Sequence, residues 1–156
     1  MAFVFDTNSL CVLGNYYPAR FPTFWERFEE AVVSGEVLSV REVYNELQQL
    51  NRKGWLLAWF ERHRDLFLLP TPQEAEFVAE IFKVPHFRML VGEQQRLKGT
   101  PVADPFVIAC AYVRNGSVIS EETFKPNAAK IPNVCQHFGI DYTDVEGYLA
   151  RMNWQF

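Results

Sequence analysis

The chain has 156 residues, 49% of them apolar and 15% aromatic, which is ample material for the core of one domain. No run of ~18 apolar residues, the length that could cross a bilayer, is present, and the opening "MAFVFD" lacks the basic region, apolar stretch and small-residue site of a secretory signal, so a cytoplasmic protein free of membrane is expected. The net charge of −4 argues against nonspecific nucleic-acid binding through Lys and Arg, although a cluster of metal-holding acids would lower the charge in the same way.

Residues 2–6, "AFVFD", read as a short buried strand that ends in a carboxylate, with Thr7 and Asn8 after it. Pro18 and Pro22 interrupt the chain before the helical pattern "FWERFEEAVVSG", which Gly35 ends. "VLS" is a second short strand. Val40, Val43, Tyr44, Leu47 and Leu50 then recur at helical spacing, which predicts a helix over 40–50 with Ser39 as N-cap and a stop near Asn51. "GWLLAWFERHRDLF" reads as a helix, "LFLLP" as a short strand closed by Pro70 and Pro72, and "QEAEFVAEIFK" as a helix closed by Pro85. Residues 86–99 carry no clear pattern.

"ADPFVIACAYVRNG" predicts a helix with Asp104 as N-cap, Pro105 at the first helical position and "NG" as terminator. "SVIS" is a strand, "IPNVCQHFGI" a helix ended by Gly139, "IDYT" a last strand, and "DVEGYLARM" a helix capped by Asp144. Strands alternating with helices define an α/β domain with a mostly parallel sheet. Cys11, Cys110 and Cys135 are odd in number and form no CxxC pair, so they read as reduced core thiols.

In open parallel sheets, ligands bind beyond the carboxyl ends of the strands. Asp6, Asp104, and Glu121 with Glu122 all stand where such an edge is built, and Glu46 lies one turn from Glu42 on the helix after "VLS". Converging carboxylates repel one another unless a cation lies between them, and Mg²⁺ or Mn²⁺ suits hard oxygen ligands. Each acid also has an ordinary reading. Asp6 could form an Asx turn or cap the next helix, Asp104 fits a cap, Glu42 and Glu46 could be solvated helix acids, and Glu121 and Glu122 could open a surface turn.

Taken in order, strand-"DTN", "EVYNEL", "ADPFVIACAYVRNG" and "VISEE", the sequence resembles the PIN-domain nucleases over essentially its whole length. It is most similar to a prokaryotic PIN-like group with toxin-like ribonucleases, sharing "FPTFWE" after "DTN", the "ADP" helix and "KIPNVCQHFGI". The resemblance implies a single PIN-like domain over 1–156, three layers with a central, mostly parallel sheet flanked by helices. It also implies Mg²⁺- or Mn²⁺-dependent hydrolysis of RNA, and often a role as the toxin of a toxin–antitoxin pair. On this pattern Asp6, Glu46, Asp104 and Glu122 would be the catalytic, metal-holding acids, with Thr7, Asn8, Ser120 and Glu121 supporting them. The family usually has Asp where Glu122 stands, which leaves Glu121 and Glu122 as rivals for that role.

Such acids would hold one or two ions that activate water and neutralise charge on the phosphate. Flanking phosphates would then need only a local basic rim, drawn from Arg41, Arg52, Lys53, Arg62, Arg64, Lys125 and Lys130, of which Lys125 and Arg41 are the RNA-binding candidates. Trp55, Trp59 and Phe60 could stack on bases or fill the core. An antitoxin would dock on apolar surface, for which "NYYPARFPTFW" is the candidate; a homodimer is common in the family. The alternative is a non-catalytic PIN-like module that binds RNA or protein. Zinc, serine-hydrolase and P-loop readings lack their residues. An aspartyl phosphatase wants a second carboxylate where Asn8 stands.

Overall fold

The first strand, β1 (Phe3–Phe5), is wholly buried and forms the centre of the sheet. Its neighbours are β2 (Val37–Val40) and β4 (Ser117–Ile119), with β3 (Phe67–Leu68) and β5 (Asp141–Thr143) outside them, in the order β3-β2-β1-β4-β5. All four pairings are parallel. The computed structural model describes residues 1–50, 53–91 and 102–156.

Side chains alternate across a strand, so Phe3 and Phe5 face one side and Val4 the other. Phe5 meets Phe28 at 5.7 Å and Tyr148 at 5.1 Å, which brings α2 (Pro22–Val33) and α8 (Val145–Arg151) onto that side. Trp59 of α4 (Gly54–Arg62) packs on Phe28. Against the opposite side lies α6 (Ala103–Val113), whose Val107, Ile108, Ala109, Cys110 and Ala111 are all buried. It touches β1, β2 and β4 and is backed by α5 (Pro72–Lys83). A helix apolar on every side belongs inside a protein, and α6 is the inner helix of this three-layer, α/β arrangement. The remaining helices are α1 (Thr7–Val12), α3 (Arg41–Gln49) and α7 (Ile131–Phe138). No helix among the described residues is long and apolar enough to cross a membrane.

Several local expectations need correcting. A helix, α1, starts directly after β1, ahead of Pro18 where the sequence pattern predicts no helix, because Asp6 accepts the backbone N–H of Ser9 at 2.8 Å and caps it, one of the ordinary readings of that residue. Asp104 is not the N-cap of α6: Val102 holds that position without a side-chain cap, and Asp104 is the second helical residue. Ser39 does not cap α3 either. Its hydroxyl donates to the Phe5 carbonyl at 2.8 Å, fastening β2 to β1, and Val40 takes the capping place. After α6 it is Asn115 that turns left-handed, at φ 51°. Gly116 is needed for space, since a Cβ there would stand 2.4 Å from the Ala2 carbonyl oxygen. Gly139, at φ 70°, ends α7 and Asp144 caps α8, both as expected. Residues Pro85–Leu90 form a 3₁₀ segment; 92–99, Asn51 and Arg52 lie outside the described residues.

Cys110 and Cys135 are buried thiols, each pushed up to about 12 chiefly by burial, whereas Cys11 is half-buried. Trp59 and Phe60 are core residues. Trp55 is half-buried between Tyr17 and Trp25. "NYYPARFPTFW" divides in the same way, with Phe24 and Trp25 buried and Tyr17 and Phe21 exposed.

The joint between α5 and α6 contains a buried charge. Glu74 is fully buried, shares a capping box with Thr71, and accepts from the guanidinium of Arg114. Removing the cation leaves that carboxylate unpaired, at a cost of about 3 kcal/mol. Arg114→Met should therefore lower the urea midpoint by that free energy divided by the slope, with the slope itself unchanged. Adding Glu74→Gln, which keeps the cap and removes the charge, should recover part of the loss.

Candidate active site

The chain runs from β1 outward to β2 and β3, then returns to the other side of β1 for β4 and β5. The strand order therefore reverses between β1 and β4, where open sheets leave a crevice beyond their carboxyl ends. A cavity of about 360 Å³ opens there, lined by Asp6, Thr7, Asn8, Glu46, Gln49, Leu50, Leu90, Val102, Asp104 and Glu122. Four carboxylates from four separate pieces of chain thus face one space.

Each is fixed by local chemistry. Asp6 caps α1 through Ser9, and the Ser9 hydroxyl donates to the carbonyls of Asp6 and Ile119 at 3.0 and 2.9 Å. Burial raises the Asp6 carboxyl above the usual range; hydrogen bonds from Ser120 and Ser9 oppose this, and the Glu122 charge adds to it. Glu46 accepts from the Thr7 hydroxyl at 2.5 Å and from the Ala103 backbone N–H at 3.2 Å. One side chain therefore ties α1, α3 and the open end of α6, where backbone donors have no partner in the helix.

Asp104, in the first turn of α6, is pushed up to about 8 by burial first, then by the charges of Glu122, Asp6 and Glu46. Its helix N-terminus acts in the opposite sense, since free N–H groups favour a negative charge. Glu122 is positioned twice: its N–H donates to the Ser120 hydroxyl at 3.1 Å, and its carboxylate accepts the Ile131 N–H of α7 at 2.9 Å. The neighbouring Glu121 is turned elsewhere and accepts the Val145 N–H of α8 at 2.9 Å.

The supporting residues separate accordingly. Thr7 and Ser120 touch the acids, Asn8 is exposed at the rim of the cavity, and Glu121 is outside it. Neither Lys125 nor Arg41 lines the cavity. Both are exposed, and Arg41 reaches Glu42 at 3.5 Å. Sequence reasoning passed over Ser9 and Gln49. The first stands three residues beyond Asp6, the usual partner of an N-cap; the second lies three beyond Glu46, on the same helical face.

The donor set is all carboxylate, amide and hydroxyl oxygen, the chemistry that suits Mg²⁺ or Mn²⁺. The charge that Asp6, Glu46 and Glu122 impose on Asp104 is what a cation would relieve. Among the described residues, no three acids are drawn to the mutual spacing of a closed metal shell. Glu46 and Glu122 each have an oxygen turned to a helix N-terminus instead.

Comparison with known structures agrees with this architecture. VapBC2 from Rickettsia felis, in a crystal structure bound to a DNA fragment from their promoter, superposes with a TM-score of 0.54 over 92% of this chain and 98% of that one, at 11% identity. PAE2754 from Pyrobaculum aerophilum gives 0.55 over 99% and 98%, at 14% identity. The fold is PIN-like, as the sequence resemblance implied. No curated protein matches in sequence. The family model described as Domain of unknown function (DUF4411) matches residues 3–156, and the chain belongs to that family.

Proposed function

We propose that this chain is a Mg²⁺- or Mn²⁺-dependent endoribonuclease that hydrolyses RNA phosphodiester bonds, acting as the toxin of a toxin–antitoxin pair. The observation that carries the reading is the meeting of Asp6, Glu46, Asp104 and Glu122 around one cavity at the sheet's switch point. The toxin part of the proposal rests on the sequence resemblance to the PIN-like group with toxin-like ribonucleases, and the likeness of fold to VapBC2 is compatible with it.

In this reading those four acids hold the cation, which supplies electrophilic charge to the phosphate and makes water more acidic. Thr7 fixes the orientation of Glu46, and Ser9 and Ser120 fix Asp6, as groups behind metal ligands commonly do. Asn8, at the exposed rim, offers its amide to a phosphate oxygen. Asp104 would hold the cation as a carboxylate, without the proton that its burial favours. Glu121 is left to its capping of α8.

A second reading has one observation in its favour. Glu46 and Glu122 both accept helix N-terminal N–H groups, so their presence could be explained by capping in a module that binds RNA or protein without cutting it. Cleavage separates the two. Asp104→Asn should reduce hydrolysis of a mixed pool of structured and single-stranded RNAs, in Mg²⁺ or Mn²⁺, by at least ~100-fold, and EDTA should abolish it in the parent. A parent that neither cuts nor binds Mn²⁺ supports the non-catalytic module.

The proton on Asp104 gives a further test. Only the ionised carboxylate would hold Mn²⁺, so affinity for Mn²⁺ should rise by up to about tenfold per pH unit until pH reaches about 8, then level off. Asp104→Asn should flatten that dependence. Without metal the sign is opposite for stability. The folded form holds the proton more tightly than the unfolded chain, whose carboxyl has its ordinary value of 3.8. Stability is then fully present below pH ~4 and is lost as pH rises towards 8. Urea titrations in EDTA at pH 5 and pH 8 should show the loss in the parent and a smaller one in Asp104→Asn.

A further inference from the structure

A second cavity, of about 290 Å³, adjoins the acidic one. It is lined by Asn8, Cys11, Val12, Gly14, Asn15, Lys53 and Leu56, and Asn8 borders both spaces. Its character differs from that of its neighbour: an apolar floor of Val12 and Leu56, two amide side chains and one cation replace the carboxylates. Lys53 is exposed yet held in place. Its ammonium donates to the Gly14 carbonyl at 2.8 Å and lies 4.6 Å from the centre of the Tyr17 ring. An ammonium has three donors, so this bond leaves others to turn towards a ligand. The space also depends on Gly14, where a Cβ would stand 3.1 Å from Leu56 Cδ2 and 3.6 Å from Lys53 Cδ. Any larger residue at position 14 would begin to fill the cavity.

We propose that this cavity is the subsite for a nucleotide flanking the scissile phosphate of a single-stranded RNA. The inference rests on the ribonuclease reading above. The base lies on the floor of Val12 and Leu56, the Asn15 amide meets its polar edge, and Lys53 takes the flanking phosphate, while Asn8, on the border of both cavities, stays with the phosphate between them. Apolar floor, few polar groups and a volume near the lower end for small-ligand pockets fit one nucleotide. The charge arrangement favours RNA as the occupant. The strand passes from acids, which repel phosphate unless a cation is held there, to the cation of Lys53, with Asn8 between the two. Tyr17, 49% exposed, serves as a positioning residue that keeps the ammonium over the pocket.

The test is binding of a fluorescein-labelled, mixed-sequence single-stranded RNA decamer in Mg²⁺, by anisotropy, with every variant placed on Asp104→Asn to prevent cutting. Lys53→Gln should weaken binding about fivefold and lower the salt slope by about 0.7, the share of one phosphate contact on a single strand. Asn15→Ala should weaken it about threefold without changing that slope. Gly14→Ala, with folding checked by its melting curve, should weaken it as well. Lys53→Gln and Asn15→Ala that both bind like their parent, with the same salt slope, would overturn the subsite and leave the pocket to a protein partner.

The two proposals can fail separately. If the unsubstituted chain neither cuts RNA nor binds Mn²⁺, while Lys53→Gln still weakens RNA binding and lowers its slope, the nuclease is lost and with it the scissile phosphate, and the cavity stands only as an RNA-binding pocket. If it cuts, and Lys53→Gln and Asn15→Ala cut and bind as their parents do, the subsite alone is lost.

Discussion

The structure depends on the seam between β1 and β4. Two strands far apart in sequence pair in register from Phe3 with Ser117 to Phe5 with Ile119, and the Asp6 N–H continues the ladder to the Ile119 carbonyl at 3.0 Å. There the ladder ends and the chains must diverge. Ser9 closes the end, its one hydroxyl bonded to the carbonyls of both strands. Each carbonyl already accepts a backbone N–H, that of Asp6 for Ile119 and that of Leu10 for Asp6, and the Ser9 hydroxyl, shared between them, adds a contact that fastens the two strand ends together. The seam thereby determines where Asp6 and Ser120 stand relative to each other, and with them the floor of the acidic cavity.

Around that floor the same physical device recurs. Asp6, Glu46, Glu121 and Glu122 each accept a backbone N–H at the start of a helix. Those N–H groups have no partner within the helix, and a negative charge is favoured beside them. Capping thus orients the carboxylates without a second layer of charged partners. Asp104 differs: it rides within the first turn of α6, and the burial and negative charge around it raise its carboxyl most clearly. Three of the four cavity acids consequently have a structural task as well as the proposed chemical one, and the task of Asp104 is the least structural.

That double use explains what could be read from the sequence. The α/β class, the parallel sheet and most helices follow from apolar periodicity and from Pro and Gly punctuation, because core burial imposes both. The four segments carrying the acids were legible from their order. Less so were features set by atoms distant in sequence. Ser39 has the composition of a cap, but its hydroxyl is claimed by the Phe5 carbonyl across the sheet. Asp104 before Pro105 resembles a cap and proline pair, yet α6 begins two residues earlier than that pair implies, with Ala103 held by Glu46 from another helix. The division of labour between Glu121 and Glu122 depends on where α7 and α8 place their first N–H groups, which no local pattern encodes. The Lys53 pocket was equally hidden, since Gly14 matters there only as the space beside Leu56.

The central position of β1 also bears on how the molecule is made. The strand is made before the other four, yet one of its two neighbours, β4, follows more than a hundred residues later. Pairings between distant segments form late and slowly, because a long loop must close before they are rewarded. Phe3, Val4 and Phe5 therefore wait half-covered through most of synthesis, a period in which apolar strand edges invite association. The acidic cavity is equally late, since Asp6 meets Glu122 only after β4 is laid down. A growing chain that has not yet reached Glu122 cannot possess that cavity, and whatever chemistry the cavity performs must wait for the late strand.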